Sequence, residues 1–459
     1  MSLAVDGLIS GLDTTSLINS LMTLEAGPQT LLKAKVTASN TFVTALQGLN
    51  ASIASLATLA TKSSVASSLN LYSATSSNSS ITTTVSSGAS TGSLDVVVGA
   101  LAQAKSGVTA AMTAFSGTSF TFVGSNGTPI DIAANSASLD DVASAINASS
   151  AGITATKVAS GTNAAGDKQY RLQLVADDTG LTGNFELYQG TSDDVTAGTA
   201  ANVLEATGAA VITAAQDAQV TLWAGTAAAQ SITSSTNTFA DLLPGVAVTV
   251  SKVSTDPVTI TVARDNAAVS DIAEKLVSSL NTVFALISTK SAVVNSTDTS
   301  GNAVVSAGVF SGDSTVRDVK QLILDAASYP VDGRSPSEIG ISITKSGTME
   351  FDADKFAAAM KDDPDHVEKV LAEISSRVAA AATSASDKYD GMITGMITGQ
   401  ESLVKSLGTQ IDNWDLRLTS RRSTLERTYA SLEVQLSNMN AQSAWLTAQV
   451  DGLNSANGK

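Results

Sequence analysis

Apolar residues recur every seven positions along the C-terminal part of the chain. The repeat comprises Val404, Ile411, Leu418, Leu425, Leu432, Met439, Leu446 and Leu453. A second apolar seam follows five of the eight main positions, first three residues later (Leu407, Trp414) and then four residues later (Tyr429, Leu436, Val450). Alternating spacings of three and four are typical of a coiled coil. The pattern therefore predicts one long amphipathic helix, with a local change of twist or partner near residues 421–422.

The N-terminal part of the chain is also predicted to be helical. Leu17, Leu21 and Leu24 have helical spacing, Pro28 interrupts, and a coiled-coil-like seam then runs through Phe42, Leu46, Leu49, Ile53, Leu56 and Ala60. Asp13 is the predicted N-cap of a helix that begins at Thr14. Before it lies a glycine-containing apolar lead-in with Leu8, Ile9 and Leu12, side chains that we expect to be buried against a partner.

The middle of the chain has the alternation of β-strands. The segments "LDVVVGA", "YRLQLVA", "AQVTLWAG", "GVAVTVSKV" and "VTITVAR" are short and separated by turn residues. Such a period of two predicts antiparallel sheets with one solvated face. Helical spacing is found in "SLDDVASAIN", which Ser138 is placed to cap, and it returns from about residue 267. We therefore predict an α+β, multidomain fold, in which both chain ends form a helical coiled-coil or bundle leg around two nested β-rich head domains.

Composition and charge narrow the classes of partner. The net charge of −16 argues against duplex nucleic acid and against an anionic membrane surface, because both bind mainly through Lys and Arg. The chain has no Cys, which excludes thiol nucleophiles and zinc–thiolate sites. We expect no membrane insertion, because every apolar stretch of spanning length is interrupted by polar residues, and no cleavable signal peptide, because the first basic residue is Lys33.

Candidate chemical sites each have a simpler structural interpretation. Gly7 and Gly11 lack the Lys and the spacing of a phosphate-binding loop. In "KDDPDHVEK" (residues 361–369), Asp363 suits an N-cap and Pro364 the first helical position, and we expect His366, the sole histidine, to be a solvated surface residue. "SPSE" (residues 335–338) matches a capping box. Arginines 417, 421, 422 and 427 alternate with acidic residues and predict a mixed salt-bridge face. We therefore predict no catalytic residue, no cofactor and no metal site.

Longer segments resemble the flagellar cap protein family, also called flagellar hook-associated protein 2. The resemblance is carried by "VDGLISGLDTTSLINSLMTLE" (residues 5–25), "LAQAKSG" (101–107), "FSGDSTVRDVKQLI" (310–323), "EIGISITKSGTMEFDADKFAAAMKDDPDHVEKVL" (338–371) and "LSNMNAQSAWLTAQVDGL" (436–453). It covers nearly the whole chain. It implies a non-enzymatic, ring-shaped homo-oligomer, pentameric on the filament, which sits extracellularly at the tip of the bacterial flagellum and promotes flagellin folding and insertion.

The resemblance also implies partners and a division into domains. The implied partners are flagellin, an export chaperone and the type III export apparatus, with host glycan or mucin as a further ligand of the head. The implied domains are terminal coiled-coil docking segments (1–41 and 425–459), a helical leg (42–71 and 266–424), a β-rich head (72–104 and 213–265) and a second, distal β-rich head (105–212). The expected docking residues are Leu8, Ile9, Leu12, Leu17, Leu21, Leu24, Leu425, Leu432, Leu436, Met439, Leu446, Val450 and Leu453.

Two other classes of function share this plan of helical ends around a β-rich middle. One is a hook–filament junction protein or a flagellin-like component of the filament lattice. The other is a surface adhesin that binds through its head domains.

Overall fold

The computed structural model describes residue 11 and residues 13–86, 88–297 and 299–457. The chain divides into two compact units, a discontinuous helical unit (Met1–Leu69 and Ala267–Lys459) and a continuous β-rich unit (Asn70–Asn266). The helices are α1 (Thr14–Glu25), α2 (Gly27–Lys62), α3 (Leu139–Ala148), α4 (Ser192–Thr196), α5 (Asn266–Ser291), α6 (Ser314–Ser328), α7 (Ala353–Asp362), α8 (Pro364–Ser386) and α9 (Met392–Asn457). The predicted α+β multidomain fold is confirmed.

The strands of the β-rich unit are short. They are β1 (Tyr72–Ser76), β2 (Ile81–Val85), β3 (Gly92–Ala100), β4 (Ser106–Val108), β5 (Ser119–Gly124), β6 (Pro129–Ala133), β7 (Ile153–Thr162), β8 (Lys168–Ala176), β9 (Phe185–Gln189), β10 (Ala201–Asn202), β11 (Ala210–Thr213), β12 (Ala218–Leu222), β13 (Gln230–Ser234), β14 (Thr238–Leu243), β15 (Val246–Val250) and β16 (Val258–Arg264). The helical unit adds two hairpins, β17 (Val293–Thr297) with β18 (Ala303–Ala307), and β19 (Ile341–Ile343) with β20 (Met349–Phe351).

The β-rich unit contains two hydrophobic cores. A five-stranded sheet in the order β1-β16-β3-β12-β13 and a three-stranded sheet in the order β14-β15-β2 contribute the strand residues of one core, which includes Val96, Val248 and Ile260. Two four-stranded sheets, β10-β9-β5-β6 and β11-β4-β8-β7, surround the other core together with α3. Pairing in these sheets is antiparallel, as predicted.

Alternation along the strands explains which faces are buried. In β16, Val258, Ile260 and Val262 are buried, whereas Thr259 and Thr261 are not. The predicted strand "AQVTLWAG" is shorter than expected, because it ends at Leu222. Trp223 has a φ of 50° and begins the turn that leads to β13, and a left-handed backbone cannot continue a strand.

The core of the helical unit forms where α2 packs against α8 and α9. The seam predicted for α2 is confirmed, since Leu46, Leu49, Ile53, Leu56 and Ala60 have no exposed surface. The α5 helix buries its own stripe, which includes Leu276, Leu280 and Phe284. Helices α6 and α7 complete the packing around α8.

By length and composition, α2 is the single helix among the described residues that could cross a membrane. Its buried residues are Leu, Ile, Val, Ala and Gln, whereas its exposed positions between residues 44 and 62 are Thr, Gln, Gly, Ala, Ser and Lys. Such a division is typical of a helix that packs one face on a protein core. The absence of membrane insertion stays a prediction.

Candidate docking site at the paired chain ends

The first described helix is positioned by its N-cap. The side chain of Asp13 accepts a hydrogen bond from the Ser16 backbone nitrogen at 2.7 Å, so α1 begins at Thr14 as predicted. Thr14 and Ile18 are buried, while Leu24 is 80% exposed. The helix therefore turns the side of Thr14 and Ile18 toward the helical unit. After Ala26, α2 begins with Pro28 in its first turn, where the missing N–H of proline costs no intrahelical hydrogen bond.

Polar contacts hold α1 and the start of α2 against α9. The Gln29 side chain, 5% exposed, donates from Nε2 to Asp415 Oδ1 at 2.5 Å. Further toward the N-terminus, Glu25 pairs with Arg421 at 3.3 Å, and Arg422 donates to the side-chain oxygen of Asn19. From one contact to the next, the residue number decreases on the N-terminal segment and increases on α9. The two chain ends therefore run antiparallel.

Burial decreases along the heptad seam of α9. Leu407 is 6% exposed, and Val404, Ile411, Leu418 and Leu425 are half-buried. The later heptad positions are largely exposed: Leu432 at 43%, Met439 at 64%, Leu446 at 56% and Leu453 at 64%. The last part of the helix therefore presents an apolar stripe that the described residues leave uncovered.

The predicted docking residues have different environments. Leu21, Leu425 and Leu436 are half-buried, and Leu17 is 41% exposed. Val450, at 53%, belongs with the exposed stripe. Leu8, Ile9 and Leu12 lie outside the described residues. We call the exposed residues Leu432, Met439, Leu446, Val450 and Leu453 the α9 stripe.

The sequence did not lead us to the buried residues Thr14 and Ile18 of α1. It also did not indicate the polar contacts that hold α1 and the start of α2 against α9. Thr14, Ile18 and Leu21 have the spacings of four and three that mark one face of a helix, so Ile18 could have been found. The partners of Gln29 and Asn19 could not, because nothing local indicates a residue nearly 400 positions away.

The arginines of α9 are used in several ways. Arg422 lies 4.0 Å from Glu426 one turn along, which confirms a mixed salt-bridge face at that point. Arg417 stacks over the Trp414 ring at 4.8 Å, and the Arg427 Nε donates to the Ser423 carbonyl oxygen at 3.2 Å. An exposed ion pair of this kind contributes about 0–1 kcal/mol, so these contacts within α9 add little to stability.

The acidic segment before α8 is a helix start, as predicted. Asp363 accepts a hydrogen bond from the His366 backbone nitrogen at 3.1 Å, and Pro364 is the first helical residue. The prediction that His366 is solvated was wrong, because the residue is half-buried and its Nε2 is buried without a hydrogen-bond partner among the described atoms. Its place next to the buried stripe of Val367 and Val370 explains this burial.

Ion pairs close to His366 lower the pKa of two carboxyl groups. Lys369 hydrogen-bonds Asp332 at 2.6 Å and lowers the pKa of that carboxyl below its ordinary value. Arg334, at 2.9 Å, similarly lowers the pKa of Glu338. Ser335 caps the short 3-10 turn Pro336–Ile339, so "SPSE" acts as a helix start, although of a single turn. Across the described ranges, no group of three or more His, Asp or Glu side chains is placed to hold a metal ion.

Comparison with known proteins identifies similar sequences along most of the chain. Residues 10–105 match the family model of the flagellar hook-associated protein 2 N-terminus, and residues 215–441 match that of the C-terminus. Between them, residues 119–178 match the flagellin hook IN motif. These last residues form β5 to β8 and α3.

Two curated relatives illustrate the range of similarity. The B-type flagellar hook-associated protein 2 of Pseudomonas aeruginosa is 27% identical over 301 residues, which are 64% of this chain and 54% of that protein. The flagellar hook-associated protein 2 of Escherichia coli K12 is 26% identical over 476 residues, which are 99% of this chain and 98% of that protein. The chain thus spans about half the length of the Pseudomonas relative and nearly all of the Escherichia coli one.

A solved structure shows the same fold. The crystal structure of the D1-D2-D3 domains of the flagellar cap protein from Escherichia coli superposes with a TM-score of 0.60 at 24% identity. The match covers 78% of this chain and 99% of that one. At this level of identity, the similarity supports the architecture of helical and β-rich parts.

Proposed function

The chain belongs to the flagellar hook-associated protein 2 family, the non-enzymatic cap proteins of the flagellar filament tip, and we propose that it promotes flagellin folding and insertion there and prevents loss of flagellin monomers. The mechanism that we propose is steric and involves no chemical reaction. The protein encloses the end of the filament, and each new flagellin folds in the shielded space beneath it.

The observation that carries this proposal is the α9 stripe. Five large apolar side chains, each between 43% and 64% exposed, follow one another along the end of a 66-residue helix. Contiguous exposed apolar surface of this kind marks a protein interaction site. A helix that packs against α2 and α1 along its first part and is apolar and exposed along its last part suits insertion into the axis of a tubular assembly.

The finer parts of the proposal rest on family membership. We propose a ring-shaped homo-oligomer, pentameric on the filament, with flagellin as its main partner. Export would use the flagellar type III apparatus and an export chaperone, without a cleavable signal peptide. The division into docking segments, leg and two heads, with borders at 41, 71, 104, 212, 265 and 424, belongs to the same proposal, as do the docking roles of the thirteen residues named from the sequence.

Deletion of the gene from its own bacterium tests the proposal directly. We expect cells without filaments that release flagellin monomers into the medium, and recovery of filaments when the full chain is supplied from a plasmid. Normal filaments in the deletion strain would contradict the capping role.

The match to the flagellin hook IN motif favours one alternative, a component of the filament lattice. Electron microscopy of the purified full chain separates the two, because a lattice component polymerises into long filaments whereas a cap forms closed rings. Host glycan or mucin as a further ligand of the β-rich unit stays a prediction, and binding of the purified full chain to a mucin-coated surface would support it.

A further inference from the structure

The hairpin β17–β18 is exposed on both faces. All ten strand residues are exposed, including Val293 and Val294 at 56% each and Val305 at 67%. Within the described chain, no other strand pairs with either edge of this hairpin. A two-stranded hairpin with no packing partner is only marginally stable in water, so its apolar side chains indicate that something covers it.

The edges of this hairpin lack the usual protection. Exposed edges in monomeric proteins are generally blocked by Lys, Pro or a β-bulge. Between residues 293 and 307 the sequence has no Lys, Arg or Pro. Its register also runs without a bulge from Val293 opposite Ala307 to Thr297 opposite Ala303. Both edges are therefore open to pairing with another chain.

A basic pocket lies at the base of the hairpin. Ala292, which immediately precedes β17, lines a cavity of about 440 Å³ together with Ile287, Phe310, Asp313, Arg317 and Lys320. The hairpin base is closed by hydrogen bonds of 2.8 Å from the Gly308 nitrogen to the Ala292 oxygen and from the Phe310 nitrogen to the Lys290 oxygen. The hairpin and the pocket thus adjoin each other at Ala292, and we call the two together the hairpin–pocket surface.

The charges in this pocket are not balanced within the described structure. Arg317 makes no ion pair with a described residue, and Lys320 lies over the Phe284 ring at 5.8 Å. The one carboxylate of the pocket, Asp313, is occupied as the N-cap of α6, where it accepts from the Val316 nitrogen at 2.9 Å. Two cations and one carboxylate leave this pocket with a net positive charge, which fits an acidic partner.

We propose that the hairpin–pocket surface receives the acidic β-rich unit of a second copy of this chain. The β-rich unit, residues 70–266, has 15 acidic and 6 basic side chains, a net charge of −9 within the −16 of the whole chain. A closed ring requires heterologous contacts, in which one surface of each copy meets a different surface of its neighbour. Complementary charge across such a contact fixes its orientation and disfavours other partners. The inference rests on the ring of the proposed function.

Charge reversal in the pocket tests the inference on the purified full chain. The variant R317E/K320E removes the two cations, and K355E/K361E makes the same change of charge at two exposed lysines elsewhere in the helical unit. Sedimentation velocity and electron microscopy measure ring formation. We expect K355E/K361E to form rings like the unchanged chain, and R317E/K320E to raise the dissociation constant of the ring by more than about tenfold with an unchanged circular dichroism spectrum.

A second pair of variants tests the hairpin itself. We expect Val305→Lys to weaken the ring, because it blocks the open edge, and Val65→Lys, at a 57% exposed site of the helical unit away from the hairpin, to leave the ring intact. Rings that form normally in both R317E/K320E and Val305→Lys would overturn this inference while leaving the proposed cap in place. Intact rings that no longer bind filament ends would assign the surface to flagellin instead and overturn the second copy as its occupant. Failure of the unchanged chain to form rings would overturn the ring itself.

Discussion

Placing charges on the α9 stripe should abolish docking while leaving the β-rich unit folded. The double variant Leu432→Asp with Leu446→Asp replaces two side chains that are 43% and 56% exposed. Neither residue belongs to either core of the β-rich unit. The change therefore acts on the interaction surface and on the local packing of α9.

The expected loss follows from the area that remains to be covered. Full burial of a leucine contributes about 1.5–3 kcal/mol, so covering the exposed half of both residues contributes roughly 1.5–3 kcal/mol in total. This corresponds to about 10- to 150-fold in affinity. Burying two carboxylates without partners adds a further penalty of about 1–3 kcal/mol or more for each group. Binding of the variant to filament ends at micromolar concentration should then be undetectable.

The assay is complementation of a deletion strain, with swimming and released flagellin as readouts. A matched control, Asn438→Asp with Ala444→Asp, adds the same charge to exposed positions of α9 that lie outside both apolar seams and should restore filaments. Thermal unfolding of the purified chains reports whether the β-rich unit is intact. Full complementation by the Leu432→Asp and Leu446→Asp variant would refute the assignment of the α9 stripe.

Three further predictions concern the fold. Leu49→Ala removes a fully buried side chain of α2 and should lower the free energy of unfolding of the helical unit by about 2–5 kcal/mol in denaturant titration, whereas a loss below about 1 kcal/mol would mean that the α2 core is loosely packed. Asp13→Ala removes the N-cap of α1 and should cost about 0.5–2 kcal/mol, seen as faster amide exchange in the first turn; unchanged exchange would contradict the cap. Tyr188 has its pKa raised to about 12, mainly because its hydroxyl donates to Glu186. Because the folded-state pKa lies above the ordinary value, its contribution to stability is full below about pH 10 and is lost as pH rises toward about 12. Ultraviolet titration should show one tyrosine with a raised pKa, and Glu186→Gln should return that pKa to the ordinary range. If the pKa of Tyr188 is not raised in the unchanged chain, the hydrogen bond to Glu186 is contradicted.

Periodicity predicted elements well where one face is buried. The seam of α2 and the alternation of β16 could be predicted, because local spacing alone decides which side chains share a face. The partner of each strand could not. Strand β3 lies between β12 and β16, which follow it by more than a hundred residues, and alternation carries no information about which strand is the neighbour.

The candidate site was predictable to a similar extent. The heptads of α9 predicted a single helix, and the structure confirms it from Met392 to Asn457. They did not predict the point at which burial ends, because every heptad position looks alike in sequence. That point depends on how far α1 reaches along α9, and its contacts at Asn19 and Glu25 with Arg422 and Arg421 are tertiary.

The discontinuity of the helical unit sets an order of folding. Residues 70–266 are continuous and contain both cores of the β-rich unit, so this unit can close as soon as its own segment is available. The helical unit joins residues separated by 386 and 396 positions, Gln29 to Asp415 and Glu25 to Arg421. When a chain is delivered from its N-terminal end, by a ribosome or through a narrow channel, α1 and α2 emerge long before α9. They cannot make these contacts until α9 has followed. The pairing of the two chain ends is therefore complete only on a chain that has been delivered through α9, whereas the packing of α2 on α8 can form earlier.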